Sequence, residues 1–405
     1  MGQTVQTSLF ILFTLAALIT LVVALVLAAR VAYDCGTGRG RGTACARRLA
    51  RLKRALATFA VLAIVDGGLV ALSQVTASTP AIRDEAGRVL EGSIAELIQV
   101  SLNGRKEWIG IRGRDRSAPV LLFLAGGPGG TDMAVVRHEL AALEQHFVVV
   151  GWDQAGSGKS YGATPISSIT AETYIQDGLA LTEYLADRFG HDRIFLLGES
   201  WGSALAVFLA ARRPERYHAL IGTGQMVAFA ETERLDYAKA MELARQAGDT
   251  ATVRRLEANG APPYYGKRVT MRSAVYLNYL TRQMARNPAI HNAGYKTLRD
   301  MLSSEYGLLD KVNFVRGIIN TFDCVYQQLY DIDLRHDYAR LDVPVYFFEG
   351  RHDLNAPTSL VEDYFAVLEA PEKELVWFEH SGHNPWMNET DRFVNELLLR
   401  FKVKE

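Results

Sequence analysis

The feature that most restricts how this chain can fold is an uncharged apolar segment near its N-terminus. Residues 9–29 carry no charged side chain, and 14 of these 21 residues are Leu, Ile, Val or Phe. As a helix, the segment would be about 31 Å long, which is enough to cross the hydrocarbon core of a bilayer. A core helix of a soluble protein is rarely apolar on every face over this length. The segment therefore predicts a membrane-spanning helix.

A second apolar segment, residues 55–75, predicts a second span. It contains ten Leu, Ile, Val or Phe residues, but also Asp66 and two adjacent glycines. A central Asp costs about 3 kcal/mol on insertion, while ten such apolar residues return about 3–6 kcal/mol. We expect Asp66 to face Thr20 or another polar group of the first helix, because ionisable groups inside a membrane normally find a polar partner.

The charges between the two spans predict the orientation. Residues 30–54, expected to form a loop, contain eight Arg or Lys residues and a single acid, Asp34. By the positive-inside rule this loop is cytoplasmic, so both chain ends and everything after residue 77 lie outside the cytoplasm. Residues 1–77 thus form a two-span anchor in the cell membrane, with the lipid bilayer as partner. Another interpretation treats 47–77 as an internal signal cleaved after residues 75–77; it exports the same domain.

Composition excludes several function classes for the remainder. Lys and Arg number 44 and Asp and Glu 45, a formal net charge of -1, so nothing favours a nucleic-acid partner. The three Cys residues show no CxxC metal-binding spacing and are too few for a disulfide scaffold. We expect neither a cofactor nor a structural metal.

After a polar linker at 78–92, the chain alternates between strand and helix patterns. Two strand patterns flank Asn103 and Gly104, a hairpin signal. Short apolar runs then predict buried strands at 120–125, 147–152, 194–197, 219–222, 345–349 and 375–378. Helical patterns occupy 170–189, 201–213, 358–368 and 389–402. This alternation predicts an α/β domain over 93–405 with a mostly parallel sheet covered on both faces. The helix-rich, aromatic stretch 226–338 interrupts the alternation and predicts an inserted cap.

The strongest chemical signal is Gly-Glu-Ser-Trp-Gly at 198–202, which matches the pattern GxSxG. An apolar run precedes it and a helical pattern follows, so Ser200 is predicted on a sharp turn between a strand and a helix. There its hydroxyl lies at a helix N-terminus, whose dipole favours developing negative charge. Ser200 is the predicted nucleophile.

A second match to GxSxG, at 158–162, has a different context. Five residues separate it from the preceding strand, and Ala-Thr-Pro at 163–165 follows it in place of a helix start. Ser160 is therefore predicted to be structural. The overlapping stretch also resembles a phosphate-binding loop, but Asp153 replaces its first glycine and no helix follows, so nucleotide binding is not expected.

Two loops further along the chain supply the base that a serine nucleophile needs. Asp353 and His383 each follow a predicted strand, and the ends of parallel strands meet at one edge of a sheet. We interpret His383 as the base and Asp353 as the carboxylate that fixes its tautomer. His380 is the alternative base. A metal site formed by these three residues and His352 is the weaker alternative, because no HExxH helix supports it.

Two backbone N–H groups are needed to stabilise the oxyanion of an acyl-transfer intermediate. Trp201, which directly follows the nucleophile, supplies one of them. The other is expected from the loop Gly-Gly-Pro-Gly-Gly at 126–130, where glycines let the backbone approach a bound carbonyl.

Taken together, these motifs resemble the prolyl iminopeptidase-like branch of the α/β-hydrolases, which are serine aminopeptidases. The resemblance covers residues 93–400 and rests on five segments, namely 124–130, 151–160, 198–202, 350–353 and 383–385. It implies the α/β-hydrolase fold with a helical cap, preceded here by two predicted transmembrane helices. It also implies a triad of Ser200, Asp353 and His383, with oxyanion donors at Gly127 and Trp201.

The chain departs from the branch pattern at two places. Ala125 stands where the branch usually has His, and the cap lacks the Glu-x-x-Trp-x-Tyr pattern that accompanies binding of a free peptide N-terminus. Glu231 and Glu233 are candidate substrate-binding residues, with Asp236 nearby, although all three also suit a solvated helix face. Removal of an N-terminal residue is implied only by the resemblance.

The expected function is that of a membrane-anchored serine hydrolase, similar to prolyl iminopeptidase, that cleaves a small amide or ester through an acyl-enzyme. Its substrate would be a small molecule or a short peptide. A carboxylesterase or acyltransferase using the same triad stays open. A non-catalytic receptor or scaffold is disfavoured because no triad member is missing. Epoxide or haloalkane hydrolysis is disfavoured because it requires a carboxylate in place of Ser200.

Overall fold

The computed structural model describes residues 2–40, 42–292 and 294–401, which fall into two units. The first unit combines Met1–Ser78 with Leu302–Lys311, and the second combines Thr79–Met301 with Val312–Glu405. Residues 302–311 lie within the range expected for the cap but cluster with the N-terminal helices.

Two long helices, Gln3–Gly36 (α1) and Thr43–Val75 (α2), pair along the first unit. Both are long and apolar enough to cross a membrane. Most of their apolar side chains are not covered by protein; Ile19 and Ile64, for example, are 65% and 74% exposed. A core helix of a soluble protein would bury such side chains.

Asp66 of α2 pairs with Thr14 of α1, six residues before Thr20. The hydroxyl of Thr14 donates a hydrogen bond to Asp66 Oδ2 at 3.0 Å. The Thr20 hydroxyl bonds instead to the carbonyl groups of Ala16 and Ala17 in its own helix. The expected polar partner on the first helix is therefore present, but it is Thr14 and not Thr20, since a threonine within a helix can satisfy its hydroxyl on the preceding turn.

The basic segment 30–54 is largely helical rather than a loop. Helix α1 continues to Gly36 and α2 begins at Thr43, so most of the basic side chains lie on the first turns of α2. The physical reason is that Arg, Lys, Leu and Ala are good helix formers, and the end of an apolar stretch does not itself end a helix. Arg48 forms a salt bridge with Asp34 across the hairpin.

The C-terminal end of α2 is tied to the segment Leu302–Lys311. The Ser73 hydroxyl accepts a hydrogen bond from the N–H of Leu308 at 2.9 Å. The Gln74 side chain accepts one from the N–H of Leu309 at 3.2 Å and donates one to Asp310 at 2.9 Å. These contacts explain why the segment clusters with α1 and α2 although it lies far from them in sequence.

The second unit is built on a sheet of eight strands, counted over the described residues. The strands are Ile94–Leu102 (β1), Arg105–Gly113 (β2), Val120–Leu124 (β3), Val148–Asp153 (β4), Ile194–Glu199 (β5), Tyr217–Thr223 (β6), Val345–Gly350 (β7) and Lys373–Phe378 (β8). Their order is β1-β2-β4-β3-β5-β6-β7-β8. Strand β2 is antiparallel to both of its neighbours, and β3 to β8 are mutually parallel.

The central strands are buried on both faces, as their continuous apolar sequence predicts. In β3, Leu122 and Leu124 belong to one core, whereas Leu121 and Phe123 belong to the core on the opposite face. This alternation follows from the two-residue period of a strand. The hairpin between β1 and β2 turns at Asn103 and Gly104, both with positive φ, as the Asn-Gly signal predicts.

Helices cover both faces of this sheet. The helices that follow α2 in the chain are Met133–Glu139 (α3), Ala171–Phe189 (α4), Trp201–Arg212 (α5), Phe229–Gln246 (α6), Thr250–Asn259 (α7), Val269–Arg286 (α8), Thr297–Met301 (α9), Leu308–Arg316 (α10), Phe322–Val325 (α11), Leu334–Asp337 (α12), Thr358–Val367 (α13), Pro385–Asn388 (α14) and Thr390–Phe401 (α15). Helices α6 to α12 occupy the chain between β6 and β7, where the inserted stretch was predicted. The predicted α/β class with a mostly parallel sheet is confirmed.

Candidate active site

Ser200 lies on a strained turn between β5 and α5. Its φ of 52° and ψ of -120° fall outside the regions that a side chain normally favours. Gly202 makes the turn possible, because a Cβ at that position would collide with the backbone carbonyl of Leu124 on the neighbouring strand. Strain of this kind costs about 1–3 kcal/mol and is found mostly at functional sites.

Ser160 has a different environment although it matches the same sequence pattern. It is buried at the end of a short 3-10 turn, and its hydroxyl accepts a hydrogen bond from the N–H of Trp108 at 2.7 Å. Its φ is not positive. Ser160 thus fixes strand β2 through this hydrogen bond, and it does not lie on a strained strand-to-helix turn like that of Ser200.

The structure brings His383 and Asp353 together at the carboxyl end of the sheet. His383 Nδ1 lies 2.8 Å from Asp353 Oδ2. The other carboxylate oxygen of Asp353 accepts hydrogen bonds from the N–H groups of Asn355 at 2.7 Å and Ala356 at 3.0 Å. These bonds orient the carboxylate, which in turn orients the ring and leaves Nε2 as the nitrogen that can accept a proton.

The electrostatic surroundings make His383 a strong base. Burial alone lowers the pKa of an imidazolium, but the charge and hydrogen bond of Asp353, with the nearby Glu199 and Glu349, raise the pKa of His383 to about 9. A group with a raised pKa holds its proton more firmly, so the ring is mainly protonated at neutral pH. Any reaction that needs the neutral ring must therefore speed up as the pH rises towards 9.

Glu199 is a neighbour of His383 that the sequence interpretation missed. It is the last residue of β5, is buried, and places Oε1 at 3.7 Å from His383 Nε2. Burial raises the pKa of Glu199 to about 7, although the charge of His383 opposes the increase. Its position as the second residue of GxSxG was the available signal, because that residue directly precedes the nucleophile.

The glycine loop after β3 reaches Ser200. Gly127, with a φ of 127°, lines two cavities in common with Ser200. Trp201 is the first residue of α5, where a backbone N–H has no acceptor within its own helix. Gly127 thus borders the same cavities as Ser200, and Trp201 directly follows Ser200 in the chain; their role as oxyanion donors stays a prediction.

One cavity of about 170 Å³ joins these groups to the cap. Nine residues line it, namely Gly127, Ser200, Met226, Asp236, Leu277, Phe322, Tyr326, Asn355 and His383. A second cavity, of about 310 Å³, also reaches Ser200 and is bounded by Glu199, Asp132, Tyr295 and the apolar side chains of Phe314 and Ile318.

The structure separates the three acidic residues near the start of α6 that the sequence singled out. Glu231 is 39% exposed in its side chain and forms a salt bridge with Arg335. Glu233 is buried and accepts hydrogen bonds from the hydroxyls of Ser273 and Tyr276. Two residues along a helix correspond to about 200°, so Glu231 and Glu233 point to different sides. Glu231 is not among the residues that line the cavity at Ser200.

Asp236 is the acidic residue that reaches this cavity. It is fully buried, and neither of its carboxylate oxygens has a hydrogen-bond partner. Burial, followed by the charges of Glu233 and Asp353, raises the pKa of Asp236 well above its usual value. A buried, unpartnered carboxyl group is costly, so a ligand that pairs with it would gain free energy.

His380, the alternative base, points elsewhere. Its ring stacks on His291 with centroids 4.0 Å apart, and its Nδ1 lies 3.2 Å from the carbonyl oxygen of Ala289. Over residues 2–40, 42–292 and 294–401, no group of three or more His, Cys, Asp or Glu side chains is arranged to hold a metal ion.

Comparisons with known proteins show what the chain is similar to. The family model described as serine aminopeptidase, S33, matches residues 129–391. A probable aminopeptidase of Bacillus subtilis (strain 168), YbaC, is 32% identical over 308 residues, which cover 75% of this chain and 96% of the relative. A proline iminopeptidase of Heyndrickxia coagulans is 22% identical over 279 residues, covering 68% of this chain and 87% of that protein.

A solved structure shows the same fold. The proline iminopeptidase of Mycobacterium smegmatis aligns with a TM-score of 0.55 and 20% identity, covering 76% of this chain and 98% of that chain. The predicted resemblance and the predicted α/β-hydrolase fold are confirmed.

Proposed function

Because the chain belongs to the serine aminopeptidase S33 family, we propose that it is a membrane-anchored aminopeptidase that removes N-terminal residues from short peptides through an acyl-enzyme. The family makes the chain a peptidase-like hydrolase. The anchoring, the catalytic residues and the substrate are our proposal. One observation carries it: the cavity at the strained Ser200 also contains His383, held by Asp353, and a buried unpaired carboxyl group.

The proposed reaction begins with proton transfer from Ser200 to His383. As Nε2 accepts the hydroxyl proton, Oγ attacks the carbonyl carbon of the scissile bond. The oxyanion that forms is stabilised by the N–H groups of Gly127 and Trp201. His383 then gives the proton to the leaving amine, and water attacks the acyl-enzyme by the same steps.

Asp353 holds the imidazole of His383 in the tautomer and orientation that this reaction needs. Its hydrogen bond fixes the proton on Nδ1, so Nε2 faces the hydroxyl in its neutral, accepting form. Its charge then stabilises the imidazolium that forms in the transition state. Because the pKa of His383 is raised to about 9, the rate of acylation should increase from neutral pH to mildly alkaline pH.

Asp236 is the proposed site for the free amino group of the substrate. An α-ammonium group that enters the cavity would replace the missing partners of this carboxyl group, which then loses its proton to form a charged pair. Glu233 lies three residues earlier on the same face of α6. Burial raises its pKa only to about 7, so its carboxylate adds negative charge near the amino group.

Replacing Asp236 by asparagine tests the proposed specificity. We expect kcat/KM for aminoacyl arylamides to fall about 10- to 150-fold, the cost of losing a hydrogen bond to a charged group. Short acyl esters without an amino group should be hydrolysed at nearly the parent rate. Steady-state kinetics on both substrate classes measures this.

The matched control is Glu231→Gln, which removes a carboxylate from the same helix but outside the cavity, and which should leave both rates unchanged. An equal loss on both substrate classes in Asp236→Asn would contradict amine recognition. A parent enzyme that hydrolyses only the esters would instead identify a carboxylesterase.

Helices α1 and α2 are proposed to anchor this domain in the cell membrane. Both are long enough to span it, and the basic residues cluster around the turn between them. By the positive-inside rule that turn is cytoplasmic, so the second unit is extracytoplasmic.

Reporter fusions test this orientation. Alkaline phosphatase fused after residue 90 should be active and green fluorescent protein at the same position dark, because the fusion point lies outside the cytoplasm. Fusions after residue 38, in the turn, should show the opposite pattern and serve as the control. Fluorescence without phosphatase activity at residue 90 would contradict the orientation.

A further inference from the structure

Glu199 lies beside Nε2 of His383, the ring nitrogen that is proposed to accept the proton of Ser200. Its Oε1 lies 3.7 Å from His383 Nε2, whereas Asp353 holds the other ring nitrogen. At this distance Glu199 does not form a hydrogen bond with the ring, so it leaves Nε2 available to the Ser200 hydroxyl. It does place a second carboxyl charge close to the atom that receives the proton.

The surroundings of this carboxyl group disfavour its ionised form. Glu199 is 3% exposed, and its Oε2 has no hydrogen-bond partner. The glycine loop is shaped around it, since a Cβ at Gly126 would collide with Oε2. A buried, incompletely satisfied carboxyl group next to a nucleophile is explained most simply by a role in the reaction.

Three other buried carboxyl groups of the site, those of Asp132, Glu349 and Asp236, also have raised pKa values. Burial, followed by the charge of Glu199, raises the pKa of Asp132 well above its usual value. Burial, followed by the charge of Asp353, does the same for the pKa of Glu349, whose Oε1 accepts the N–H of Gln225. Burial likewise raises the pKa of Asp236, from the cap, well above its usual value. Among the described residues, Asp353 and Glu199 are the ones whose carboxylate oxygens lie within 4.0 Å of a ring nitrogen of His383.

We propose that Glu199 is a positioning residue that acts through His383, where its carboxylate stabilises the imidazolium formed when Ser200 loses its proton. This inference rests on the proposed triad. Glu199 accepts no proton in the step: the proton passes from Oγ to Nε2, and the carboxylate remains ionised beside it. Two carboxylates, one at each ring nitrogen, then share the stabilisation of one imidazolium.

Removing the charge of Glu199 should change the reaction rate in opposite directions at low and at high pH. Without Glu199 the pKa of His383 falls, so the neutral ring becomes available at lower pH. The ring is then also a weaker base, so the limiting rate at alkaline pH falls. The two pH profiles must cross, with the variant equal or faster in acid and slower in alkali.

The variant Glu199→Gln tests this with full-length protein in detergent. The probe is a fluorophosphonate, whose reaction with Ser200 requires the base but no peptide substrate, and its second-order rate is measured from pH 5 to pH 10. We expect the midpoint of the profile to move down by about one pH unit or more. Glu199→Asp, which retains a carboxylate, should restore part of this shift.

Glu107→Gln is the matched control. Glu107 is also a buried glutamate of the same sheet, and burial raises its pKa to about 9, but it bonds to Trp152 and does not face His383. Its replacement should leave the midpoint in place. Thermal melting of each variant confirms that it is folded.

Two results would overturn the inference. An unmoved midpoint in Glu199→Gln, or a loss of rate by the same factor at every pH, would show that Glu199 has only a structural role. Absence of labelling at Ser200 in the parent protein would overturn the proposed triad and this inference together. Labelling of the parent with an unmoved midpoint would overturn the role of Glu199 alone.

Discussion

Replacing Ser200 by alanine is expected to lower kcat/KM for aminoacyl arylamides by a factor between about one thousand and one million, as removal of a serine nucleophile does in other hydrolases. Without the hydroxyl no acyl-enzyme can form, whereas His383, Asp353 and the glycine loop stay in place. The residual rate then reflects only substrate positioning and the oxyanion donors. Initial rates at saturating and limiting substrate concentrations measure the effect.

Ser160→Ala provides the matched control, because Ser160 lies in the other GxSxG sequence. This change removes the acceptor of the Trp108 N–H, so it should lower the free energy of unfolding by about 1–3 kcal/mol while activity persists. Full activity in Ser200→Ala, or its loss in a folded Ser160→Ala protein, would contradict the assignment of the nucleophile.

The second large effect is expected from Asp353→Asn, which should lower kcat by about 10,000-fold. An amide at this position can present N–H to His383 Nδ1, which favours the wrong tautomer and leaves Nε2 protonated. The carboxylate charge that stabilises the imidazolium is lost as well. The acidic limb of the pH profile should also move to lower pH, since the hydrogen bond and charge of Asp353 are what outweigh burial in raising the pKa of His383 to about 9.

The control for this change is Glu379→Gln, at an exposed carboxylate that follows β8 and pairs with Arg351. It should have no measurable effect on kcat. A loss in Asp353→Asn that is no larger than tenfold, with the protein folded, would mean that Asp353 does not orient the base.

The fold could be predicted because its signals are local and mutually consistent. Continuous apolar runs such as β3 are typical of strands buried on both faces, and Asn103-Gly104 specifies a hairpin turn. The convergence of the strand-end loops followed from the same reasoning. Parallel strands end at one edge, so loops after β5, β7 and β8 meet although residues 200, 353 and 383 are far apart in sequence.

What could not be predicted depends on side-chain direction and three-dimensional neighbours. The pattern GxSxG marks Ser200 but says nothing about Glu199, whose importance comes from its distance to a ring nearly two hundred residues away. On α6, the charges of Glu231 and Asp236 look equivalent in sequence. The rotation of the helix turns one to the surface and the other into the cavity.

The two N-terminal helices show a third limit of sequence patterns. Hydropathy locates the apolar part of a span but not the ends of its helix, so α1 and α2 run well beyond the predicted segments. Likewise, composition alone does not say which threonine of α1 pairs with Asp66. Only the packing of the hairpin selects Thr14.

The most direct test of the triad of Ser200, His383 and Asp353 uses a fluorophosphonate on the full-length protein. The residue that carries the covalent adduct is identified. Digestion and mass spectrometry should find the phosphonyl group on the peptide that contains Ser200, with labelling at least about a thousand times slower in His383→Ala. An adduct on another residue, or labelling of Ser200 at the parent rate without His383, would contradict the account.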